Sequence, residues 1–332
     1  MRKGEASSAL FNTIDNQSAG GGLGPSCICC TVAEEEAIRM NASLKTFVAR
    51  VPWWGKITGK LILAHAPVDY RIWKRLHLFE QGAMEVPTYA YQVFQKHFDQ
   101  ARSLRRLNNW IGLELGPGDS LLSAMVAYAY GASAYYLVDS GEYARAGVQQ
   151  YRAMAKFLAE QDLSVPNAQY LESVNATLAA CQARYGTLGI DSLRAIPDES
   201  VDFVWSHTVL QHVRRVEFLE TMRELRRILR PDGVSSHWVD LQDCIGGALN
   251  NLRFRESVWE SPFMADSGFY TNRIRYSEML ALFKEAGFQV DVISVKRWDR
   301  LPTSRSKLCK RFRDLSEEEL RVSCFHAVLR PA

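Results

Sequence analysis

From Trp110 onward, short apolar runs alternate with longer stretches in which apolar residues recur at helical spacing. This alternation is typical of βαβ units and predicts a mostly parallel sheet flanked by helices. The predicted strands are 110–115, 134–138, 201–205, 234–239, 289–295 and 324–329. The predicted helices are 121–130, 142–160, 276–286 and one after strand 201–205 with an apolar stripe at Leu219, Met222, Leu225 and Leu229.

One strand of this pattern is ambiguous. Two short apolar runs, 168–171 and 187–190, flank a helical stretch at 175–185, and either could form the third strand. The later run is favoured. Further along, Pro231 and the Asp232-Gly233 pair predict that a helix stops and a tight turn leads into strand 234–239.

The chain before Trp110 has a different pattern. Residues 1–30 read as a flexible lead-in, and residues 31–109 read as an α-helical segment with apolar positions such as Tyr91, Phe94 and Phe98. The sequence therefore predicts a helical N-terminal cap followed by an α/β domain over 110–332.

Composition narrows the class of protein. The chain has 332 residues, 47% of them hydrophobic, and 40 Lys+Arg against 37 Asp+Glu, so its net charge of +3 gives no general attraction to nucleic acid or membranes. Seven cysteines lack the paired Cys-x-x-Cys spacing of zinc sites, which favours a reducing, cytoplasmic setting without a bound metal. The uncharged stretch 120–138 is interrupted by polar residues and by Gly131, so we expect a helix, a turn and a buried strand there rather than a membrane span.

A glycine-rich turn follows the first predicted strand. The run Glu114-Leu115-Gly116-Pro117-Gly118 lets backbone N–H groups approach a ligand at a helix start, and Asp139 closes the second strand, where a carboxylate can accept ribose hydroxyls. No Gly-Lys-Ser/Thr follows, which excludes a phosphate loop. Leu121 stands where a dinucleotide site would have its third glycine, so a ligand without a pyrophosphate fits better.

From Trp110 to the C-terminus the sequence resembles the class I S-adenosylmethionine-dependent methyltransferases. The matching motifs, in family order, are Glu-Leu-Gly-Pro-Gly at 114–118, the acid Asp139, Asp-Ser-Leu at 191–193, Val-Asp-Phe-Val-Trp-Ser-His at 201–207, Val-Leu-Gln-His-Val at 209–213 and Leu-Arg-Pro-Asp-Gly-Val at 229–234. The resemblance implies a Rossmann-like α/β fold with a seven-stranded sheet whose last strand is antiparallel. It also implies S-adenosylmethionine as the cofactor and S-adenosylhomocysteine as the product.

The resemblance assigns cofactor contacts to residues at the ends of the first four strands. Gly116 and Gly118 would line the methionine part, Glu114 would order their loop, and Asp139 would hold the ribose. Asp191 would accept from the adenine amino group, although a helix or turn cap is an alternative role for it. The complete expected set is Glu114, Gly116, Pro117, Gly118, Asp139, Ser140, Asp191, Ser192, Leu193, Ser206 and His207.

Methyl transfer to a hydroxyl group needs an aligned nucleophile and a base that removes its proton. His212 is the first candidate for this base and Asp240 the second, although a histidine at this position can also be a helix-start residue satisfied by the backbone. Acceptor contacts are expected from His237, Asp243, Tyr270, Asn272 and Arg273. For the last three, a loop held by its own polar groups is an equal alternative.

The acceptor itself is predicted only by class. Residues 82–87 with Phe94 and His97, and residues 268–276, look like bacterial methyltransferases of surface polysaccharide or small-molecule biosynthesis, and we expect O-methylation of a sugar or small metabolite. No Asn-Pro-Pro-Tyr-type tetrapeptide follows strand 201–205, which argues against nucleic-acid bases. Small-molecule N-methylation, a nicotinamide-dependent dehydrogenase or epimerase, and a non-catalytic binding protein stay open as alternatives. The basic segment 296–313 adds the hypothesis of an anionic acceptor, against a solvated surface loop as the alternative.

Overall fold

A computed structural model of the protein describes Gly55 and residues 83–332. Seven strands form one sheet in the order β3-β2-β1-β4-β5-β7-β6. All neighbours pair in parallel except β7, which is antiparallel to both β5 and β6. The strands are β1 Trp110–Leu115, β2 Ala132–Val138, β3 Ala183–Gly186, β4 Val201–His207, β5 Leu229–Asp240, β6 Phe288–Arg297 and β7 Val322–Pro331. The predicted seven-stranded Rossmann-like sheet with an antiparallel last strand is confirmed.

Helices cover both faces of this sheet. The α-helices of residues 83–332 are α1 Pro87–Leu104, α2 Ser123–Ala129, α3 Val148–Ala159, α4 Val174–Ala180, α5 Ile190–Arg194, α6 Arg215–Ile228, α7 Glu256–Trp259, α8 Pro262–Ala265, α9 Tyr276–Glu285, α10 Lys310–Arg313 and α11 Glu317–Arg321. Short 3₁₀ turns lie at Ala168–Glu172, Asn250–Arg253 and Arg305–Lys307. One core joins α1, α2 and α3 to the sheet, and a second core joins α6 and α9 to the opposite face.

The third strand differs from the prediction. It is β3, Ala183–Gly186, which pairs with Tyr135–Val138 of β2, whereas the run at 168–171 is a 3₁₀ turn and the run at 187–190 leads into α5. This strand lies at the sheet edge, and none of its residues is fully buried. An edge strand does not need the apolar run that marks a central strand, so the hydrophobic pattern could not find it.

The Pro-Asp-Gly turn is also built differently. Strand β5 already begins at Leu229, which pairs with Val201, and the next pair is Phe203 with Val234. The residues between Leu229 and Val234 therefore bulge out of the ladder while the chain continues in the same strand. The helix before it still ends at Ile228, as the proline predicts.

The structure describes only part of the predicted helical N-terminal segment, residues 31–109. Helix α1 packs Phe94 and Phe98 against Trp110 and Phe203 of the sheet, so the described end of this segment is helical and belongs to the core of the α/β domain. The predictions for 1–30, and for 31–82 except Gly55, fall outside the described residues, as do Cys27, Cys29 and Cys30.

Residues 120–138 fold as expected. They form α2, a turn at Gly131 with φ +81°, and β2. In the part of the chain that the structure describes, no helix is both long and apolar enough to cross a membrane.

Candidate functional site

The loop after β1 holds two glycines in a conformation that other residues adopt at a cost. Gly116 has φ +72° and Gly118 has φ +65°, both in the left-handed region. A Cβ atom on Gly116 would lie 2.5 Å from both γ-carbons of Val209, in the loop after β4. The turn therefore needs glycine at 116 for two reasons, its backbone angle and the close approach of Val209.

Asp139 connects this turn to the end of β2. One carboxylate oxygen accepts from the Gly118 N–H at 3.0 Å, and the other accepts from the Ser140 N–H at 2.8 Å. A carboxylate offers about four acceptor positions, so each oxygen can take a further donor. Burial is the main cause that raises the pKa of Asp139, and the two backbone N–H groups lower it. These features fit the ribose of S-adenosylmethionine, whose two hydroxyls need paired acceptors beside the glycine turn.

Glu114 lies below the turn, inside the protein. Its side chain is 2% exposed and accepts a hydrogen bond from the Ser123 hydroxyl at the start of α2. This bond links the strand before the glycine loop to the helix after it, as expected of a residue that orders the loop. Burial raises the pKa of Glu114 to about 8, the Ser123 hydrogen bond opposes the rise, and the charge of Asp139 adds to it.

The residues assigned to the adenine side lie on α5, next to the end of β2. Gly189 donates its N–H to the backbone oxygen of Asp139 at 2.8 Å, which holds the start of α5 beside the end of β2. Asp191 is in the first turn of α5, with its side chain 66% exposed and 2.7 Å from Arg194. Ser192 accepts from the Leu188 N–H, and Leu193 is buried. The adenine contact of Asp191 stays a prediction, and its place in the first turn of α5 also matches the alternative of a residue that stabilises the helix start.

At the end of β4, the side chains of the predicted site residues Ser206 and His207 lie on opposite faces of the sheet. The Ser206 hydroxyl is buried and bonds Nδ1 of His237 at 2.7 Å, on the face of α6 and α9. His207 faces α1, stacks on Trp238 with 6.1 Å between ring centroids, and bonds Nε2 of His97 at 3.1 Å through its Nδ1. Only the His207 side chain is thus on the side that α1 covers.

The first base candidate is held in a definite tautomer. Nδ1 of His212 lies 2.7 Å from the carbonyl oxygen of Tyr270, so Nδ1 must donate and Nε2 carries the lone pair in the neutral ring. Desolvation lowers the pKa of His212, with smaller opposing effects from Tyr270 and Asp240. Because the residue is solvent-exposed, water weakens this shift, but its direction still favours the neutral form near pH 7.

The second base candidate is engaged by the backbone. Oδ1 of Asp240 accepts from the Gln242 N–H at 2.8 Å, at the end of β5. Both candidates thus follow strands that end at the carboxyl edge of the sheet, where ligands of open α/β sheets bind.

The expected acceptor residues are mostly engaged within the protein. His237 is fully buried, with one ring nitrogen on Ser206 and the other 2.6 Å from Ser235. Asp243 accepts from three backbone N–H groups of its own loop, those of Ile245, Gly246 and Asn250.

The same holds for the segment before α9. The Tyr270 hydroxyl donates to Glu260 at 2.7 Å, and the Asn272 amide donates to two carbonyl groups of the loop after β4. Arg273, with φ +57° and a 1% exposed side chain, donates to the carbonyl of Phe254 and faces Glu256. These contacts match the alternative of a polar loop that holds itself in place, and the acceptor role of these residues stays a prediction.

A buried hydrogen-bond chain was not predicted. His97 in α1 is fully buried and bonds Ser236 at 2.8 Å as well as His207, and Ser236 in turn bonds His326 of β7 at 2.8 Å. A signal was present, because a histidine occupies the apolar stripe of α1 between Phe94 and Phe98. Only the tertiary structure shows that its partners lie 110 and 139 residues away in sequence.

The basic segment leaves β6 at the carboxyl edge, as predicted, because β6 runs parallel to β5. Several of its cations have structural partners: Arg311 binds Glu256 at 2.6 Å, and Arg313 donates to the carbonyl of Leu308. Lys296 points elsewhere, with its ammonium 5.3 Å from the Trp238 ring centroid.

Comparisons with known proteins match the part of the chain that contains this site. Residues 113–236 match the family profile of a methyltransferase domain. An S-adenosylmethionine-dependent methyltransferase from Mesorhizobium loti is 16% identical, with a TM-score of 0.41 and coverage of 70% of this chain and 97% of that one. A methyltransferase of the same class from Methanosarcina mazei is 14% identical, with a TM-score of 0.43 and coverage of 69% and 95%. No curated protein sequence matches the chain.

The matched segment contains the glycine turn, Glu114, Asp139 and the loop of His212. The sheet order, with the antiparallel strand β7 between β5 and β6, differs from the 3-2-1-4-5-6 order that is typical of dinucleotide-binding folds. Residues 113–236 are therefore similar to a methyltransferase domain, and they include strands β2 to β4 and parts of β1 and β5.

Proposed function

We propose that this protein is an S-adenosylmethionine-dependent methyltransferase that methylates an oxygen atom of a sugar or small metabolite, with His212 as the general base. The observation that carries the proposal is the hydrogen bond from His212 Nδ1 to the Tyr270 carbonyl, which leaves Nε2 as a proton acceptor. A hydroxyl nucleophile has to lose a proton during methyl transfer, and a neutral imidazole of defined tautomer suits that task.

The loop that contains His212 packs against the glycine turn after β1. Val209 packs directly against Gly116, and the His212 N–H donates to the Val209 carbonyl at 2.8 Å in a tight turn. A movement of the glycine turn would therefore move the base, and a correctly bound cofactor would help to place it. Proximity and alignment supply much of the acceleration expected of such an enzyme.

The cofactor supplies the activated methyl group when it is bound, and the residues proposed to hold it are those of the glycine turn, Asp139 and the start of α5. The protein binds the cofactor, orients it and removes the proton of the acceptor. Gly116 and Gly118 allow the backbone to approach the cofactor, and Asp139 fixes its ribose. The neutral form of His212 would accept the proton of the acceptor hydroxyl at Nε2.

A direct test combines binding with product analysis. We expect calorimetric titration to show binding of S-adenosylmethionine and S-adenosylhomocysteine but not of NAD. Incubation with methyl-¹³C-labelled cofactor and a panel of hydroxylated and amino-bearing sugars and metabolites should then give labelled O-methyl signals by NMR. Labelled N-methyl products alone would contradict the oxygen preference.

The base assignment needs two variants once an acceptor is found. His212→Gln should reduce kcat by about 100-fold or more with little change in cofactor affinity, and Asp240→Asn should reduce it less. Near-normal turnover in both variants would mean that catalysis proceeds by positioning alone.

A further inference from the structure

One buried side-chain oxygen in the loop after β4 has no hydrogen-bond partner. Gln211 is 5% exposed, and its side-chain nitrogen Nε2 donates to the carbonyl oxygen of Thr208 at 2.8 Å. Its side-chain oxygen Oε1 is buried, and no donor in the described part of the chain reaches it. Most buried polar side-chain atoms have a partner, so an exception at the carboxyl edge of the sheet, where ligands of α/β folds bind, indicates a group that the protein itself does not supply.

The partner of the Gln211 amide fixes its orientation. The Thr208 carbonyl can only accept a hydrogen bond, so the amide nitrogen of Gln211 faces it, and turning the amide over would bring two acceptors together. The unpartnered atom is therefore the oxygen. An amide oxygen accepts hydrogen bonds and donates none, so the group that completes this site has to carry an N–H or an O–H.

This oxygen lies in the loop that packs on the glycine turn. The oxygen and nitrogen of an amide are about 2.3 Å apart, so Oε1 of Gln211 lies within about 5 Å of the Thr208 carbonyl oxygen, where β4 has just ended. Val209 follows Thr208, and a Cβ atom on Gly116 would lie 2.5 Å from both of its γ-carbons. Oε1 is thus close to the turn that we propose to line the methionine part of the cofactor.

The backbone of this loop is held by contacts from two other segments. Thr208 has φ +57°, which is unusual for a β-branched residue, and its N–H donates to the carbonyl of Trp238 at 2.8 Å. The Asn272 N–H donates to the Gln211 carbonyl at 2.7 Å, and the Asn272 side chain donates to two further carbonyl groups of the loop. A strained residue that its surroundings hold in place is typical of ligand sites. The backbone of Gln211 is therefore fixed without a ligand.

The hydrogen-bond donors of S-adenosylmethionine indicate which group fits. Asp139 offers paired acceptors for the two ribose hydroxyls, and Asp191 is the predicted partner of the adenine amino group. The α-ammonium group of the methionine part needs an acceptor as well. Ser206 was expected on that side, but its hydroxyl bonds His237 on the face of α6 and α9. The ammonium group is therefore the cofactor donor for which Gln211 is available, and a hydrogen bond from a cation is stronger than one between neutral groups.

We propose that Gln211 binds the α-ammonium group of S-adenosylmethionine through Oε1. The inference rests on the proposed function, because it takes S-adenosylmethionine as the cofactor. It gives the loop of His212 a second task, which is recognition of the amino-acid end of the cofactor. A nucleoside thioether without the α-ammonium group would lack this contact.

The test compares two ligands that differ only in this group. They are S-adenosylhomocysteine and its deaminated analogue, in which hydrogen replaces the α-amino group. Both are titrated calorimetrically into the full chain and into Gln211→Met, which keeps the length of the side chain and removes its acceptor. We expect Gln211→Met to raise the Kd of S-adenosylhomocysteine by about tenfold or more and to leave the Kd of the deaminated analogue unchanged.

Gln182→Met is the matched control. Nε2 of Gln182 also donates to a carbonyl three residues earlier, that of Ala179 at 3.2 Å, but Gln182 is exposed in the turn before β3. This variant should bind both ligands as the wild type does. Gln211→Glu keeps an acceptor oxygen and removes the Nε2 donor, so it should retain S-adenosylhomocysteine binding although it loses the bond to Thr208.

The variants distinguish binding through Oε1 from a structural role of Gln211. Unchanged S-adenosylhomocysteine affinity in Gln211→Met would overturn the proposal and leave Oε1 to a water molecule. Equal weakening of both ligands, or the same loss in Gln211→Glu as in Gln211→Met, would also overturn it, because Gln211 would then act only by holding the loop through Thr208. Binding of the deaminated analogue shows that each variant is folded.

The wild type separates this proposal from the proposed function. A wild type that binds neither ligand contradicts the proposed function and this inference together. A wild type that binds S-adenosylhomocysteine, with no effect of Gln211→Met, contradicts only the role of Gln211. The expected pattern of affinities in an enzyme that methylates only nitrogen would support the role of Gln211 and contradict only the oxygen preference.

Discussion

Gly116→Ala is the substitution whose cost the structure defines best. The added Cβ would lie 2.5 Å from Cγ1 and Cγ2 of Val209, whereas carbon atoms in contact prefer about 3.5–4.0 Å. Val209 or the turn must therefore move by about 1 Å, and overpacking of this kind costs about 1–3 kcal/mol. The left-handed backbone at φ +72° adds about 1 kcal/mol for any residue with a Cβ. We expect a total loss of about 2–4 kcal/mol in the free energy of unfolding.

Gly131→Ala is a matched control for this prediction. Gly131 has a similar φ of +81°, but a Cβ there would meet nothing within 4 Å. Urea unfolding at 25 °C should show a loss of about 1 kcal/mol for this variant, so the difference between the two alanine variants measures the clash.

A third variant identifies the clashing partner. Val209→Ala removes the two γ-carbons and leaves only Cβ, 3.1 Å from the added methyl group. In that background Gly116→Ala should cost about as much as Gly131→Ala does in the wild type. Calorimetry should show weaker S-adenosylhomocysteine binding for Gly116→Ala and unchanged binding for Gly131→Ala. Equal destabilisation by the two single alanine variants would refute the reasoning.

Three further changes test the site. Asp139→Ala should weaken S-adenosylmethionine binding by about 1–3 kcal/mol in calorimetry, because the ribose loses its acceptor, while the exposed control Asp314→Ala should have no effect. His212→Gln should flatten the acidic limb of the kcat–pH profile, and a limb that persists would assign it to another group. Glu114→Gln should change the pH dependence of stability. The folded-state pKa of Glu114 is raised to about 8, so its stabilising contribution is complete below about pH 4 and is lost as pH rises towards 8. Urea unfolding of the wild type should therefore lose up to about 1.4 kcal/mol per pH unit in that window through this group, and the glutamine variant should lack this loss; equal slopes would contradict it.

The sequence by itself was sufficient for the central part of the sheet. β1 was predicted with its observed bounds, and β4 and β7 were found within two residues at each end, because buried strands read as continuous apolar runs. The position of Asp139 at the end of β2 followed from the same pattern. The helix expected at 142–160 begins only at Val148, since the preceding residues Arg145 and Ala146 donate to the backbone oxygen of Asp119 in the glycine loop.

Only the tertiary structure decided what the polar residues do. The alternation along β4 and β5 indicates that Ser206 and His207 face opposite sides, but not that His237 is bonded to Ser206 and Ser235 inside the core. From the sequence, Asp243 and Asn272 are both candidates for contacts with a substrate. In the fold, their side chains form hydrogen bonds with backbone groups of their own or adjacent loops.

The physical reason is the range of the interactions. Hydrophobic periodicity is a local property, so a window of about ten residues carries it. Hydrogen bonds and charges act between whichever groups the fold brings within a few ångströms, and these groups are far apart in sequence. The pairs formed by His97, with His207 and with Ser236, join residues that are 110 and 139 positions apart. The chain thus fixes its sheet through local patterns, whereas the identity of its acceptor site depends on contacts that only the folded molecule makes.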